Sequence, residues 1–296
     1  MLRSLTLLAL CACADPPTPV IEAHRGAAGY YPQNSRTAML ASMDDGYAGL
    51  EMDVVLTADG VPVLSHDPWV HETLCERVDG APMEARVRID GLLLEELQET
   101  YLCGGLPDPA FPNAVLHAES MMTFDELVAA LRFTEASLRV HIDVKFEPGW
   151  TPPPEAFADA VLSRWFEADP PQSFYVSSGH AEALRAFEDW GSANAKDVPT
   201  SLSWPSAPLD ADAVRTGLSA ELRRALGLED PVRLAEDAGA DGVALYYELA
   251  ERHMVASARA RGLDVALWTL NDPALLSAHA RWPVTSLITD FPGDLP

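Results

Sequence analysis

From Val20 onward, short apolar runs of strand character alternate with amphipathic runs of helical length. That alternation restricts the fold more than anything else in the chain, because strands joined through helices have to lie parallel in one sheet. Strand-like runs occupy 20–24, 50–54, 61–65, 139–144, 174–177, 199–203, 242–245, 264–269 and 286–289. Helix-like runs lie between them at 35–46, 123–134, 155–167, 180–190, 232–239, 250–261 and 273–281. Thr123 and Glu126 spell a capping box at the head of one of these. The pattern predicts an α/β fold, a (β/α)8 barrel, with 61–65 as an extra strand. An open doubly wound sheet is the alternative, but no G-x-G-x-x-G follows the first strand, so no dinucleotide site is expected. Two segments depart from the alternation. One is 67–120, with a single helix-like part at 90–101; the other is 204–231, with an amphipathic stretch near 218–227. Segments of that length in a compact domain serve as lids or inserts.

Chemistry-bearing residues gather at the ends of the early strands. His24 closes VIEAH, Glu51 and Asp53 sit in LEMDV, and His66 closes VPVLSH. Alternate residues of a strand share a face, so Glu51 and Asp53 project together, as do Asp143 and Lys145 in RVHIDVK. A parallel barrel carries its site at the C-terminal strand ends. Glu51, Asp53 and Asp143 would converge there as hard oxygen ligands for one divalent cation, Mg²⁺ or Ca²⁺. His24 and His66 are the candidate acid and base, since imidazole titrates near neutrality. Arg25 and Lys145 supply positive charge for a phosphate: arginine forks onto two oxygens, lysine acts as a point charge. Glu22 shares the face of His24 by parity and is expected to stand behind the residues of the site, because an unpaired carboxylate inside a barrel is costly. Asn34 is expected to hold the loop after the first strand. Trp268 is expected either as an apolar wall at the mouth or as core packing. His141 shares the parity of Asp143; the other histidines read as surface or packing residues.

The run HRG (24–26), then P-x-N (32–34), E-x-D (51–53) and T-x-D-G-x-x-V-x-x-H-D (57–67) resembles the glycerophosphodiester phosphodiesterase family. Further similarities lie in MMTFDELVAAL (121–131), HIDVK (141–145), FYVSSGHAEALRAF (174–187), VALWTLNDP (265–273) and SLITDFP (286–292). Two positions depart from the family pattern, which has Glu where Gln33 and Asp143 stand. The resemblance implies a metal-dependent hydrolysis of glycerophosphodiesters to an alcohol and glycerol 3-phosphate. The glycerol 2-hydroxyl would attack phosphorus, with one histidine as base and the other protonating the leaving alcohol. Two rivals stand beside that expectation. One is a phospholipase D-type cleavage of lysophospholipids or sphingomyelin at the same site, with 67–120 and 204–231 building a wider apolar mouth. The other is an envelope lipoprotein that binds partners and has lost catalysis, which the shorter Asp143 leaves open.

Charge and cysteine usage bear on where such a protein would act. A formal net charge of −25 argues against nucleic acid or an anionic membrane surface as a general partner, though not against a phosphate in a locally positive site. Arg3 precedes an apolar run from Leu5 to Ala12 that is too short to span a bilayer. Leu10-Cys11-Ala12-Cys13 resembles a bacterial lipoprotein box with Cys13 as the acylated residue, and DPPTP (15–19) reads as a stiff tether. An ordinary cleaved signal peptide or a misassigned start are the alternatives. On this reading 1–19 is leader and tether, 20–296 is the barrel, and the protein is a cell-envelope lipoprotein or a secreted or periplasmic one. Cys75 and Cys103 then face an oxidising space, where an even pair suggests a disulfide; two free buried thiols are the alternative.

Overall fold

The computed structural model describes residues 18–83, 85–134, 137–204 and 230–294. Cys13, most of the leader and the amphipathic stretch near 218–227 lie outside the described residues. The strands in chain order are β1 (Val20–Ala23), β2 (Gly49–Leu56), β3 (Pro62–Leu64), β4 (Trp69–Val70), β5 (Cys75–Arg77), β6 (Val87–Arg88) and β7 (Tyr101–Cys103). They continue with β8 (Arg139–Val144), β9 (Ser173–Ser178), β10 (Thr200–Trp204), β11 (Gly242–Tyr246), β12 (Asp264–Trp268) and β13 (Ser286–Thr289). Eight of them run parallel in the order β1, β13, β12, β11, β10, β9, β8, β2, and β1 pairs β2 to close the ring. This is the expected (β/α)8 barrel. β3 adds to β2 antiparallel, as the extra strand that leads to His66.

Four of the described helices start at a side-chain cap. Ser35 accepts a hydrogen bond from the Ala38 N–H at the head of Arg36–Asp44. Thr123 and Glu126 form the reciprocal capping box of Phe124–Leu131. Asp230 and Asp272 cap Pro231–Ala238 and Pro273–His279, each with proline at the first helical position, where its missing N–H costs nothing. Between sheet and helices, Leu50, Met52 and Val54 of β2 pack with Phe124, Phe157 and Phe187. The three phenylalanine rings are fully buried, each contributing on the order of 1.5–3 kcal/mol. The other parity of β2, Glu51 and Asp53, is thereby left for the barrel interior.

Segment 67–120 is a small subdomain rather than an open loop. It holds two antiparallel ribbons, β4 with β6 and β5 with β7, and the helix Leu94–Thr100. Its own core includes Val70, Ile89, Leu97 and Tyr101 and joins the barrel at Val55 and Val63. Cys75 lies directly opposite Cys103 and is bonded to it, so the expected disulfide is present. By chain entropy the bridge contributes roughly 3–4 kcal/mol.

One local expectation is corrected. The strand at 20–24 ends at Ala23, because His24–Gly26 form a single 3-10 turn with Arg25 in the left-handed region (φ 50°). Parity therefore does not carry from Glu22 to His24, and the two side chains have different neighbours.

Candidate active site

The HRG turn brings the Arg25 backbone against Glu51. Gly26 takes φ +76°, and a Cβ there would sit 2.8 Å from the Cβ of Ala38, so only glycine lets the turn lie against the following helix. The Arg25 conformation points its N–H at Glu51, donating to Oε2 at 2.6 Å. A non-glycine residue held at positive φ costs about 1 kcal/mol and persists only when neighbours fix it; here the fixing bond is to a proposed metal ligand.

Glu51, Asp53 and Asp143 each place a carboxylate oxygen within 4.8 Å of the others. β2 and β8 produce this directly, since Asp53 registers opposite Asp143. Two cations flank the cluster. Lys145 Nζ lies 2.8 Å from Asp53 Oδ1 and also bonds Asp143 Oδ2, while Arg25 Nε lies 3.2 Å from Asp53 Oδ2. Asn34 completes the first-strand loop as expected: its Nδ2 donates to Asp53 Oδ2 at 2.7 Å, and its Oδ1 accepts from the Asp53 N–H at 3.1 Å.

The three acids respond differently to this setting. Burial raises the pKa of Glu51 well above the usual carboxylate range, and the charges of Asp53 and Asp143 raise it further. Burial pushes Asp53 up too, but Lys145 and Arg25 more than offset it and hold that carboxyl well below its usual value. Asp143 is likewise lowered, burial being outweighed chiefly by Lys145. Two buried carboxylates and the partly buried Asp143 against two cations leave a surplus of negative charge on Glu51, which a hard cation would relieve. The donor set fits Mg²⁺ or Ca²⁺ on that ground.

The two histidines converge on the same space with the same orientation. His24 Nδ1 lies 2.6 Å from Asp290 Oδ1, and its Nε2 lies 4.0 Å from Glu51 Oε2. His66 Nδ1 lies 3.0 Å from Asp67 Oδ1. Each ring thus uses Nδ1 on a carboxylate and leaves Nε2 for the cavity, the arrangement that fixes a tautomer for proton transfer. Burial lowers the pKa of His66, helped by Lys145 and Arg25, so its imidazole is neutral at pH 7. Asp290 stays ionised, burial being outweighed by His24, and Asn271 Nδ2 holds its other oxygen at 2.6 Å.

A cavity of about 1160 Å³ opens over these groups. His24, Arg25, Glu51, Asp53, His66, Asp143 and Lys145 all line it, so the strand-end residues picked from sequence do meet in one place. Trp268 lines its wall, with Nε1 donating to the Ala244 carbonyl at 3.2 Å and its ring 5.3 Å from that of Tyr246. Trp69 and Arg88 of segment 67–120 and Phe146 and Trp150 after β8 extend that wall outward.

Glu22 does not share the surroundings of His24, as strand parity had implied. It is fully buried, and its Oε2 meets His141 Nδ1 at 3.0 Å and accepts from the Tyr175 hydroxyl at 2.8 Å. His24 is held instead by Asp290, in the run SLITDFP, whose acidic residue at a strand end carried the available signal. Asp67, Asn271 and Ser177 also escaped the sequence reading. Gln33 explains itself: Arg25 Nη1 donates to its Oε1 at 2.6 Å, and its Nε2 donates to Asp108 Oδ2 at 3.0 Å. The carboxylate missing at position 33 is supplied by Asp108 of the insert.

A family model for the glycerophosphoryl diester phosphodiesterase family matches residues 24–294. The chain belongs to that family. Glycerophosphodiester phosphodiesterase 1 of Bos taurus is 45% identical over 51 residues, which is 17% of this chain and 15% of that relative's length. The matched stretch therefore covers only a small part of the curated relative. A crystal structure from Silicibacter pomeroyi superposes with a TM-score of 0.78 at 24% identity, covering 94% of this chain and 92% of the other. An Oleispira antarctica phosphodiesterase, solved with the product sn-glycerol-3-phosphate, gives a TM-score of 0.67 at 18% identity, over 93% and 94% of the two chains. At such identities the likeness establishes the shared barrel.

Proposed function

We propose that this chain is an exported, metal-dependent phosphodiesterase that cleaves glycerophosphodiesters to an alcohol and glycerol 3-phosphate. One observation carries the reading. A three-carboxylate cluster, two carboxylate-backed histidines and two cations open on the same cavity. Glu51, Asp53 and Asp143 would hold the divalent cation. When bound, it supplies Lewis acidity to a hydroxyl and to the phosphoryl oxygens.

The chain's own residues supply the rest. Arg25 and Lys145 sit beside the acids where a phosphodiester's anionic oxygens have to lie, and both strengthen as charge builds on those oxygens in the transition state. Neutral His66 is suited to take the proton of the attacking 2-hydroxyl through Nε2. His24, held through Nδ1 by Asp290, is suited to hand a proton to the departing alcohol from Nε2. The bond from the 2-oxygen to phosphorus forms as the bond to the alcohol oxygen breaks. Water then opens the resulting cyclic phosphate with the proton roles reversed.

The assay is release of alcohol and glycerol 3-phosphate from a panel of glycerophosphodiesters, with and without chelator, then with Mg²⁺ or Ca²⁺ restored. Full turnover in excess chelator by metal-free protein would remove the metal from the reading. No turnover on any member would leave the catalytically inactive binding protein as the better account. A second reading is favoured by the size and lining of the cavity. At about 1160 Å³, with Trp69, Phe146, Trp150 and Tyr246 on its walls, it exceeds the usual range for small-ligand sites. It therefore has room for the acyl part of a lysophospholipid. Choline release from lysophosphatidylcholine against glycerophosphocholine separates the two substrate classes. Export rests on the leader motif, and a Cys13→Ser variant that stays in the membrane fraction would refute the lipid anchor.

A further inference from the structure

The interior of a parallel barrel is ordinarily filled by branched apolar side chains. Below the carboxylate cluster this barrel instead carries a buried polar chain across three strands: Glu22 on β1, His141 on β8 and Ser177 on β9. His141 Nδ1 lies 3.0 Å from Glu22 Oε2, and its Nε2 lies 2.7 Å from the Ser177 hydroxyl. Ser177 in turn donates to Asp143 Oδ1. Tyr175 locks the imidazole from the side: its ring stacks on His141 at 4.2 Å, and its hydroxyl donates to the same Glu22 oxygen at 2.8 Å. Gly49 makes the crossing possible, because a Cβ there would lie 2.5 Å from Glu22 Cγ, in the gap between β1 and β8.

The hydrogen count gives the chain a direction. Asp143 is acceptor-only, so the single hydroxyl proton of Ser177 is committed to it, and Ser177 must accept from His141 Nε2–H. The two bonds from His141 to Ser177 and from Ser177 to Asp143 therefore both run donor-first toward the third carboxylate. Lys145 occupies Oδ2 of Asp143, and Ser177 occupies Oδ1. Two donors on different oxygens fix the plane of the carboxyl group, which decides where its remaining lone pairs aim. With only Lys145 the group is free to turn toward that cation. Filling space would be better served here by apolar residues, since buried polar groups cost free energy unless each is satisfied.

We propose that Ser177 is a positioning residue that holds Asp143 in its metal-binding orientation, and that His141, anchored on Glu22, sets the Ser177 hydroxyl. This deepens the metal-dependent reading and rests on it. Groups that orient metal ligands are worth about 10- to 100-fold in metal affinity. The test is Mn²⁺ titration of the full chain, with free Mn²⁺ read by electron paramagnetic resonance, for wild type, Ser177→Ala and Ser177→Cys. Ser177→Ala is expected to weaken Mn²⁺ by about 10- to 100-fold, with a melting temperature in chelator that stays close to wild type. Should the alanine variant fold poorly, the near-isosteric cysteine variant, a weaker donor, carries the same expectation. Added to an Asp143→Asn background, Ser177→Ala should produce no further loss, since the positioned charge is already gone. Equal Mn²⁺ affinity in wild type and a folded Ser177 variant would overturn the positioning role alone. No Mn²⁺ uptake by wild type would overturn the metal reading and this role with it.

Discussion

Replacing Glu51 with glutamine should stabilise the metal-free protein while destroying its response to metal. Glu51 is buried, and its carboxylate lies within 4.8 Å of two others. At an effective dielectric constant of about 20, two like charges at that distance repel by roughly 3.5 kcal/mol. Glu51 meets two such neighbours, and Lys145 with Arg25 cancels part of the sum. Glutamine keeps an oxygen for the Arg25 N–H and loses the charge, so the net gain is on the order of 1–3 kcal/mol. For a domain of this size that corresponds to a rise of roughly 2–12 °C in melting temperature. The raised pKa of Glu51 gives the same sign. Its folded-state pKa lies above the usual 4.5, so metal-free wild type gains stability as pH falls through that raised value toward 4.5, and the variant does not. On the metal-dependent reading a cation would replace the proton in wild type, and at about 100 times its Kd it would add about 2.7 kcal/mol. The assay is thermal unfolding by circular dichroism in chelator and in excess Mg²⁺ or Mn²⁺, beside a phosphodiesterase assay. Lower stability of Glu51→Gln in chelator, or an undiminished metal-induced rise in that variant, would refute the crowded-carboxylate argument.

His24→Ala and His66→Ala should each cost on the order of 10²-fold or more in turnover, and the double variant much less than the product, because the two act as a unit; a wild-type rate in either would remove that ring from the mechanism. Asp290→Asn should cost at least ~10-fold in kcat with little change in KM, since the tautomer of His24 is no longer held; steady-state kinetics on one glycerophosphodiester decides it. His66 is held below the 6.5 of an unperturbed imidazole, so the acid limb of kcat/KM should fall below pH 6.5 and activity should persist above it until another group titrates. An acid limb above pH 7 would contradict the neutral-base assignment. Cys75→Ser should lower stability by roughly 3–4 kcal/mol, about 6–16 °C in melting temperature, measured without reductant; an unchanged melting temperature would show that the bridge does not constrain the unfolded chain.

The barrel was readable because its signal is periodic and repeated. Most strand runs were short, apolar and followed by a run of helical length, and errors at single ends did not alter the order. The site was readable at β2 for a related reason: Glu51 and Asp53 interrupt an apolar run on one parity, which only a barrel interior or a site explains. What stayed hidden depends on contacts between strands. Nothing local shows that Gly49 leaves a gap through which Glu22 reaches His141. Nothing local shows that Ser177, one of two adjacent serines, meets Asp143 across a strand pair. Only the face that Glu22 was expected to share with His24 is lost, because strand parity does not extend into a turn that Arg25 and Gly26 bend out of the extended region.

The two departures from the family pattern have different physical consequences. At position 33 the lost charge is recovered at one remove. Gln33 passes a hydrogen bond from Arg25 to Asp108, and the disulfide at Cys75–Cys103 ties down the segment that brings Asp108 there. Arg25 therefore keeps a carboxylate behind it, on a neutral spacer. At position 143 no second carboxylate compensates. The shorter side chain is gripped on both oxygens, by Lys145 and by Ser177, so precision of placement stands in for reach. The two sites should thus respond oppositely to restoration. Gln33→Glu puts a second acid beside Asp108 and should weaken the local structure. Asp143→Glu should preserve or raise metal affinity, since the longer side chain can follow the cation. Mn²⁺ affinity and melting temperature of the two variants test this contrast, and a loss of affinity in Asp143→Glu would show that the Ser177 grip has been built for aspartate alone.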